Sequence, residues 1–215
     1  MRINRLAVVF AALVVAALVA PLSAPGITKT SGKNPYGFVD LKSVPKPKIT
    51  GAEIITGLEE FVDKFPMRHN MLPNNEAAAQ FLADEAKKYG FKTRIMEFEL
   101  GTPARPVRVV EALKPGTKKP NEWLSFIAHY DVVAPNGAGM TIQGAYDDGT
   151  GTNILRYFGK AFSKVKMNRT IALLWFDAEE NGLLASQAYA EYLKEKRKDV
   201  DVYAGLGFDM VGIGH

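Results

Sequence analysis

The chain has 215 residues, 47% of them hydrophobic, with a formal charge of +4 and no cysteine. That length suits one sizeable domain, and the missing thiols exclude a disulfide framework, a lipid-attachment cysteine and a thiolate metal site. Any metal must be held by oxygen and imidazole. The positive balance is unspecific: Arg2 and Arg5 stand in a leader without acidic residues, and without those two the chain carries 25 basic against 23 acidic residues. The basic clusters Lys114–Lys119 and Lys194–Lys198 lack interleaved aromatics, so they read as solvated surface and nucleic acid is set aside as a partner.

Residues 1–26, MRINRLAVVFAALVVAALVAPLSAPG, open with two arginines, continue apolar from Leu6 to Ala20 and end in small residues, as a signal peptide does. The run from Leu6 to Leu22 also reaches the lower limit of about 17 residues for a membrane anchor. Either way the expectation is export, to the periplasm, the exterior or an outward-facing anchored position. Residues 27–49, rich in Pro, Gly and Lys, read as a linker. The domain proper is expected from residue 50 to 215.

TGAE at Thr50–Glu53 predicts a capped helix with Ile54, Ile55, Leu58, Phe61 and Val62 on one face, ended by Pro66. A second helix is predicted from a cap at Asn75 to Tyr89, stopped by Gly90. Then the period changes. FKTRIMEFEL alternates as a half-buried strand does, and VRVVEAL and EWLSFIA follow as further strands. After a long loop come a helix (Gly151–Ser163), the strand TIALLWF, a helix (Leu183–Arg197) and the strand YAGLGF. This order predicts an α/β fold with a mixed, mainly parallel sheet sandwiched between helices. In such sheets ligands bind beyond the carboxyl ends of the strands.

Those ends carry the ionisable residues: His129 and Asp131 in HYD, Asp147 and Asp148 in GAYDDGTG, Glu179 and Glu180 after LLWF, and Asp209 after GLGF. Singly each has a plain explanation, such as acidic charge at a helix start. Together, one imidazole and several carboxylates on one edge of one sheet cannot all stay ionised without a cation. Oxygen and nitrogen donors without sulfur suit a catalytic zinc, with manganese or cobalt also chemically possible.

Four motifs in order, HYD, GAYDDGTG, FDAEENGLLAS and GFDMVG, resemble those of the exported two-zinc aminopeptidases. The wider superfamily also includes glutamate carboxypeptidases, glutaminyl cyclases and the transferrin-receptor ectodomain. The resemblance implies a zinc exopeptidase-like fold and a metallo-exopeptidase that hydrolyses the amino-terminal bond of peptides with a metal-activated water. By residue, it implies that His129 and Asp209 bind one metal and that Asp147 bridges two through a cis peptide to Asp148. Glu180 would bind the second metal and Glu179 would be the general base. Asp131 and Asp148 would support the ligands from behind, Asp131 by fixing the His129 tautomer.

Ala185 stands where the family has glycine. The family's further downstream histidine has no counterpart before His215, so the sequence reads as a domain truncated at its C-terminus, with two zinc ions in the complete domain and one in this chain. Two other readings compete: a non-catalytic ectodomain or inactive fragment of the same fold, and a glutaminyl cyclase. YDDG argues against the cyclase, which has serine where Asp148 stands.

Overall fold

The computed structural model describes residues 48–137 and 139–212. The expected leader, nearly all of the expected linker and His215 lie outside the described residues. Among the described residues, no helix is long and apolar enough to cross a membrane.

Helix α1 (Gly51–Lys64) is capped by Thr50, whose Oγ1 accepts from the Glu53 N–H at 3.2 Å. Only half of the predicted capping box forms, because the Glu53 carboxylate pairs with Lys160 instead. Helix α2 (Pro73–Lys88) starts before the expected cap. Pro73 takes the first turn, where its fixed φ and missing N–H are harmless, and Asn75 becomes a buried residue inside the helix with other partners. Its inward residues, Ala78, Ala79, Leu82, Ala83 and Ala86, are mostly alanines and allow a close approach to the sheet.

Strands β1 (Lys92–Leu100) and β2 (Arg105–Lys114) form an antiparallel hairpin. β3 (Lys119–His129), helix α3 (Thr150–Phe162), β4 (Arg169–Phe176), helix α4 (Leu184–Lys196) and β5 (Asp201–Gly207) follow. The described sheet has the order β1-β2-β4-β3-β5. β3 pairs in parallel with both β4 and β5, whereas β2 pairs antiparallel with β1 and β4. β2 alone therefore runs against the rest, which makes the sheet mixed with a majority direction, as the alternation of elements implied.

The central strand β4 sorts its side chains by parity. Ile171, Leu173 and Trp175 face the layer holding Phe61, Leu82 and Leu155 of α1–α3. Ala172, Leu174 and Phe176 join Val107, Trp123 and Tyr189 in the layer under α4. Burial on both faces explains the unbroken apolar run of β4. The parallel register aligns the strand ends: His129 lies opposite Phe176, and the Phe208 N–H donates to the Ile127 carbonyl at 2.8 Å. The residues after β3, β4 and β5 consequently emerge at one edge.

Candidate metal centre

His129 closes β3 and is 5% exposed. Thr152 Oγ1 donates to its carbonyl at 2.7 Å, which ties the strand end to α3. Its Nδ1 lies 3.2 Å from Asp131 Oδ1. Asp131 is fully buried and also accepts from the Glu179 N–H at 3.2 Å and the Glu180 N–H at 3.4 Å. One carboxylate thus orients the imidazole and anchors the loop after β4. The other ring nitrogen, Nε2, faces three carboxylates: Asp147 Oδ1 at 3.1 Å, Asp209 Oδ1 at 3.8 Å and Glu179 Oε2 at 4.0 Å.

Asp147 and Asp148 sit in a wide turn, Ala145–Gly149, and the peptide bond between them is cis. Their side chains have different surroundings. The Asp147 side chain is 46% exposed, whereas Asp148 is fully buried. Asp148 Oδ1 accepts from the Gly151 N–H at 2.8 Å and the Met210 N–H at 3.3 Å, linking α3 to the loop that bears Asp209. Its Oδ2 is buried with no partner among the described residues. The tightest candidate ligand group there is His129, Asp148 and Asp209, with one donor atom from each within 4.8 Å of the others. Asp147 and Glu180 stand outside that group, although Asp147 touches the same imidazole nitrogen.

The electrostatics are those of a site short of positive charge. Burial pushes the Asp148 carboxyl up to about 7 and also raises Glu179 and Glu180. Burial alone would lower His129, but the hydrogen bond and charge of Asp131, with Asp148 and Glu179, carry it up to about 9. The cluster draws a proton onto the imidazole where a cation could stand. That demand, the orphaned Asp148 Oδ2 and the all-oxygen-and-nitrogen donor set fit a divalent metal ion.

A second layer of residues behind the cluster is absent from the sequence expectations. Asp177 is fully buried and accepts from Asn70 Nδ2 at 2.6 Å, Asn75 Nδ2 at 2.7 Å and the Ala178 N–H at 2.8 Å. Asn75 Oδ1 in turn accepts from the Tyr130 hydroxyl at 3.1 Å. Arg68 grips the loop after β3. The one signal for these residues was compositional, a polar RHN triplet at Arg68–Asn70 between an aromatic residue and a helix. His69 is buried, with Nε2 unpartnered among the described residues.

Residues 108–215 match the profile of peptidase family M28, which is half of the chain. The chain belongs to peptidase family M28. It is 27% identical over 208 residues to a probable leucine aminopeptidase of Arthroderma otae, covering 90% of this chain and 56% of that protein. It is 36% identical over 137 residues to leucine aminopeptidase 1 of Sclerotinia sclerotiorum, covering 59% of this chain and 32% of that protein. The fold is that of a Zn-dependent exopeptidase from Parabacteroides distasonis, with a TM-score of 0.65 at 20% identity over 77% of this chain and 63% of that one. A glutaminyl cyclase from Fimbriiglobus ruber is as similar in fold, with a TM-score of 0.66 at 17% identity over 77% and 63%. The chain spans little more than half the length of the A. otae relative.

Proposed function

We propose that this M28 chain is a metal-dependent exopeptidase, specifically a zinc aminopeptidase acting on peptides with a free amino terminus outside the cytoplasm. The observation that carries the reading is the two-sided imidazole of His129. Asp131 holds Nδ1 at 3.2 Å while Nε2 turns toward Asp147, Asp209 and Glu179. An imidazole held this way by a buried carboxylate is a preoriented metal ligand. The leucine aminopeptidase relatives support the substrate class, and the leader supports export.

His129, Asp147 and Asp209 are the proposed ligands of one zinc, with a carboxylate oxygen of Asp148 close enough to His129 and Asp209 to join them. Glu180 and Asp147 would belong to a second. When bound, zinc polarises the scissile carbonyl and acidifies water. The protein's own step is a proton transfer. Glu179 is one-third exposed and raised by burial, so it is suited to take a proton from the attacking water and return it to the departing amine.

Glu179→Gln tests the reading. It should reduce hydrolysis of an amino-acid anilide by at least about a hundredfold and leave zinc content, measured by elemental analysis, unchanged. Glu180→Gln should lower zinc content as well. The reverse pattern would exchange the two roles. Cyclisation of amino-terminal glutamine without anilide hydrolysis would assign the chain to the cyclase chemistry.

A further inference from the structure

Arg68 is fully buried on the segment between α1 and α2, and nothing in the proposed reaction uses it. Its guanidinium spans both ends of the long loop that leads from β3 to the Asp147–Asp148 turn. Nε donates to the Tyr130 carbonyl at 2.5 Å, next to His129. Nη2 donates to the Gly144 carbonyl at 2.6 Å, where the turn begins, and Nη1 donates to the Gln143 carbonyl. Between these anchors, residues 133–137 and 139–141 of the loop are exposed.

Close packing holds the grip in place. A Cβ at Gly144 would lie 2.9 Å from Arg68 Nη2 and 2.2 Å from Val132 Cγ1, and Gly144 has a φ of +56°. Phe61 stacks beneath the guanidinium at 5.1 Å. Burial lowers Arg68 to about 10, against the charges of Asp131, Asp148 and Asp147, so at neutral pH it stays a cation behind the acidic cluster.

We propose that Arg68 is the positioning residue of the metal centre, clamping the backbone on either side of the loop so that His129 and the Asp147–Asp148 pair are held at ligand spacing. This rests on the metal reading above. The role needs a planar fork of donors in fixed directions. A lysine ammonium keeps the charge but concentrates its donors at one point and cannot hold carbonyls at both loop ends.

The test uses the full chain as R68K, which keeps the charge without the fork, and R68Q, which removes the charge. Zinc affinity is measured by competition with a chromogenic chelator. The visible spectrum of the cobalt(II)-loaded protein reports ligand geometry, and melting of the metal-stripped protein reports folding. Both variants should bind zinc about 10–100-fold more weakly and show a changed cobalt spectrum, while the stripped proteins still melt cooperatively. Native affinity and a native spectrum in both variants would overturn the inference alone. Variants that do not fold in excess zinc would assign Arg68 to folding and overturn it as well. A native chain that holds no zinc would overturn the metal reading and this inference together.

Discussion

Adjacent aspartates in one turn are set to different tasks by what surrounds each carboxylate. Asp147 is half exposed and its carboxylate meets His129 Nε2 at 3.1 Å, so its charge is free to serve a cation. Asp148 is buried and its Oδ1 satisfies two backbone amides, so its removal reaches into the framework. Asp147→Asn should therefore weaken zinc binding at least about tenfold with little change in the melting of the metal-free protein. Asp148→Ala should cost about 1–3 kcal/mol for each amide left unpaired, seen as a lower denaturant midpoint even without metal. Equal zinc loss in Asp147→Asn and Asp148→Asn, with stability intact in both, would promote Asp148 Oδ2 to a ligand of the same rank. The sequence could nominate both aspartates because they stand in a recognisable motif. The resemblance also ranked them, Asp147 as ligand and Asp148 as support, but it could not supply the physical reason, which lies in the Gly151 and Met210 amides that Asp148 satisfies. Arg68 was less legible still: the loop carbonyls it holds are 62, 75 and 76 residues away, and a carbonyl leaves no mark in a sequence.

Helices and strands were legible where periodicity governs them, and less so where tertiary contacts decide an end. The alternation of β1 and the apolar run of β4 gave those strands directly. Asn75 looked like a cap by residue type, but the bonds to Asp177 and Tyr130 recruit it for the site, and Pro73 starts the helix instead. The turn into α3 carries its own lesson. Gly149 has an ordinary helical backbone, with φ −62° and ψ −35°, so glycine there is needed for space and not for conformation. A Cβ at Gly149 would lie 2.6 Å from the Gly144 carbonyl oxygen and about 3 Å from side chains of α1. At Gly151 it would lie 2.3 Å from the Phe208 carbonyl oxygen and 2.5 Å from Asp148 Oδ2. The two alanine variants should consequently separate. Gly149→Ala acts mainly on stability, through the loop and α1. Gly151→Ala drives apart Asp148 and the strand end that carries Asp209, and it should lose zinc affinity by a larger factor than Gly149→Ala at matched stability. Calorimetric zinc titration beside thermal melting reads both, and identical profiles for the pair would assign both glycines to folding alone.

Across the whole molecule, the sheet brings residues far apart in sequence to one edge and leaves them short of positive charge. The fold class and the edge were readable because parallel strands must return through helices and so end at one level. The buried polar layer behind the edge was not, since Asn70, Asn75 and Asp177 are polar residues that composition alone would leave at the surface. This architecture links metal binding to stability. Without a cation the cluster retains raised carboxyls at buried Asp148 and half-buried Glu179 beside His129, and a divalent ion relieves that repulsion only in the folded state. Zinc at about a hundredfold excess over its Kd should then add about 2.7 kcal/mol to unfolding free energy. For a domain of this size that is a rise of very roughly 5–10 °C in Tm. Chelation should reverse the rise, and magnesium, which favours octahedral oxygen shells and retains its waters, should not reproduce it. A melting curve indifferent to zinc in the native protein would mean that the cluster is held by protons and Arg68 alone. The same measurement on Asp147→Asn and on Glu180→Gln would show which carboxylate the stabilising ion uses. A shift cut by about half or more in the first variant and largely kept in the second is the pattern expected of a dominant site at His129, Asp147 and Asp209.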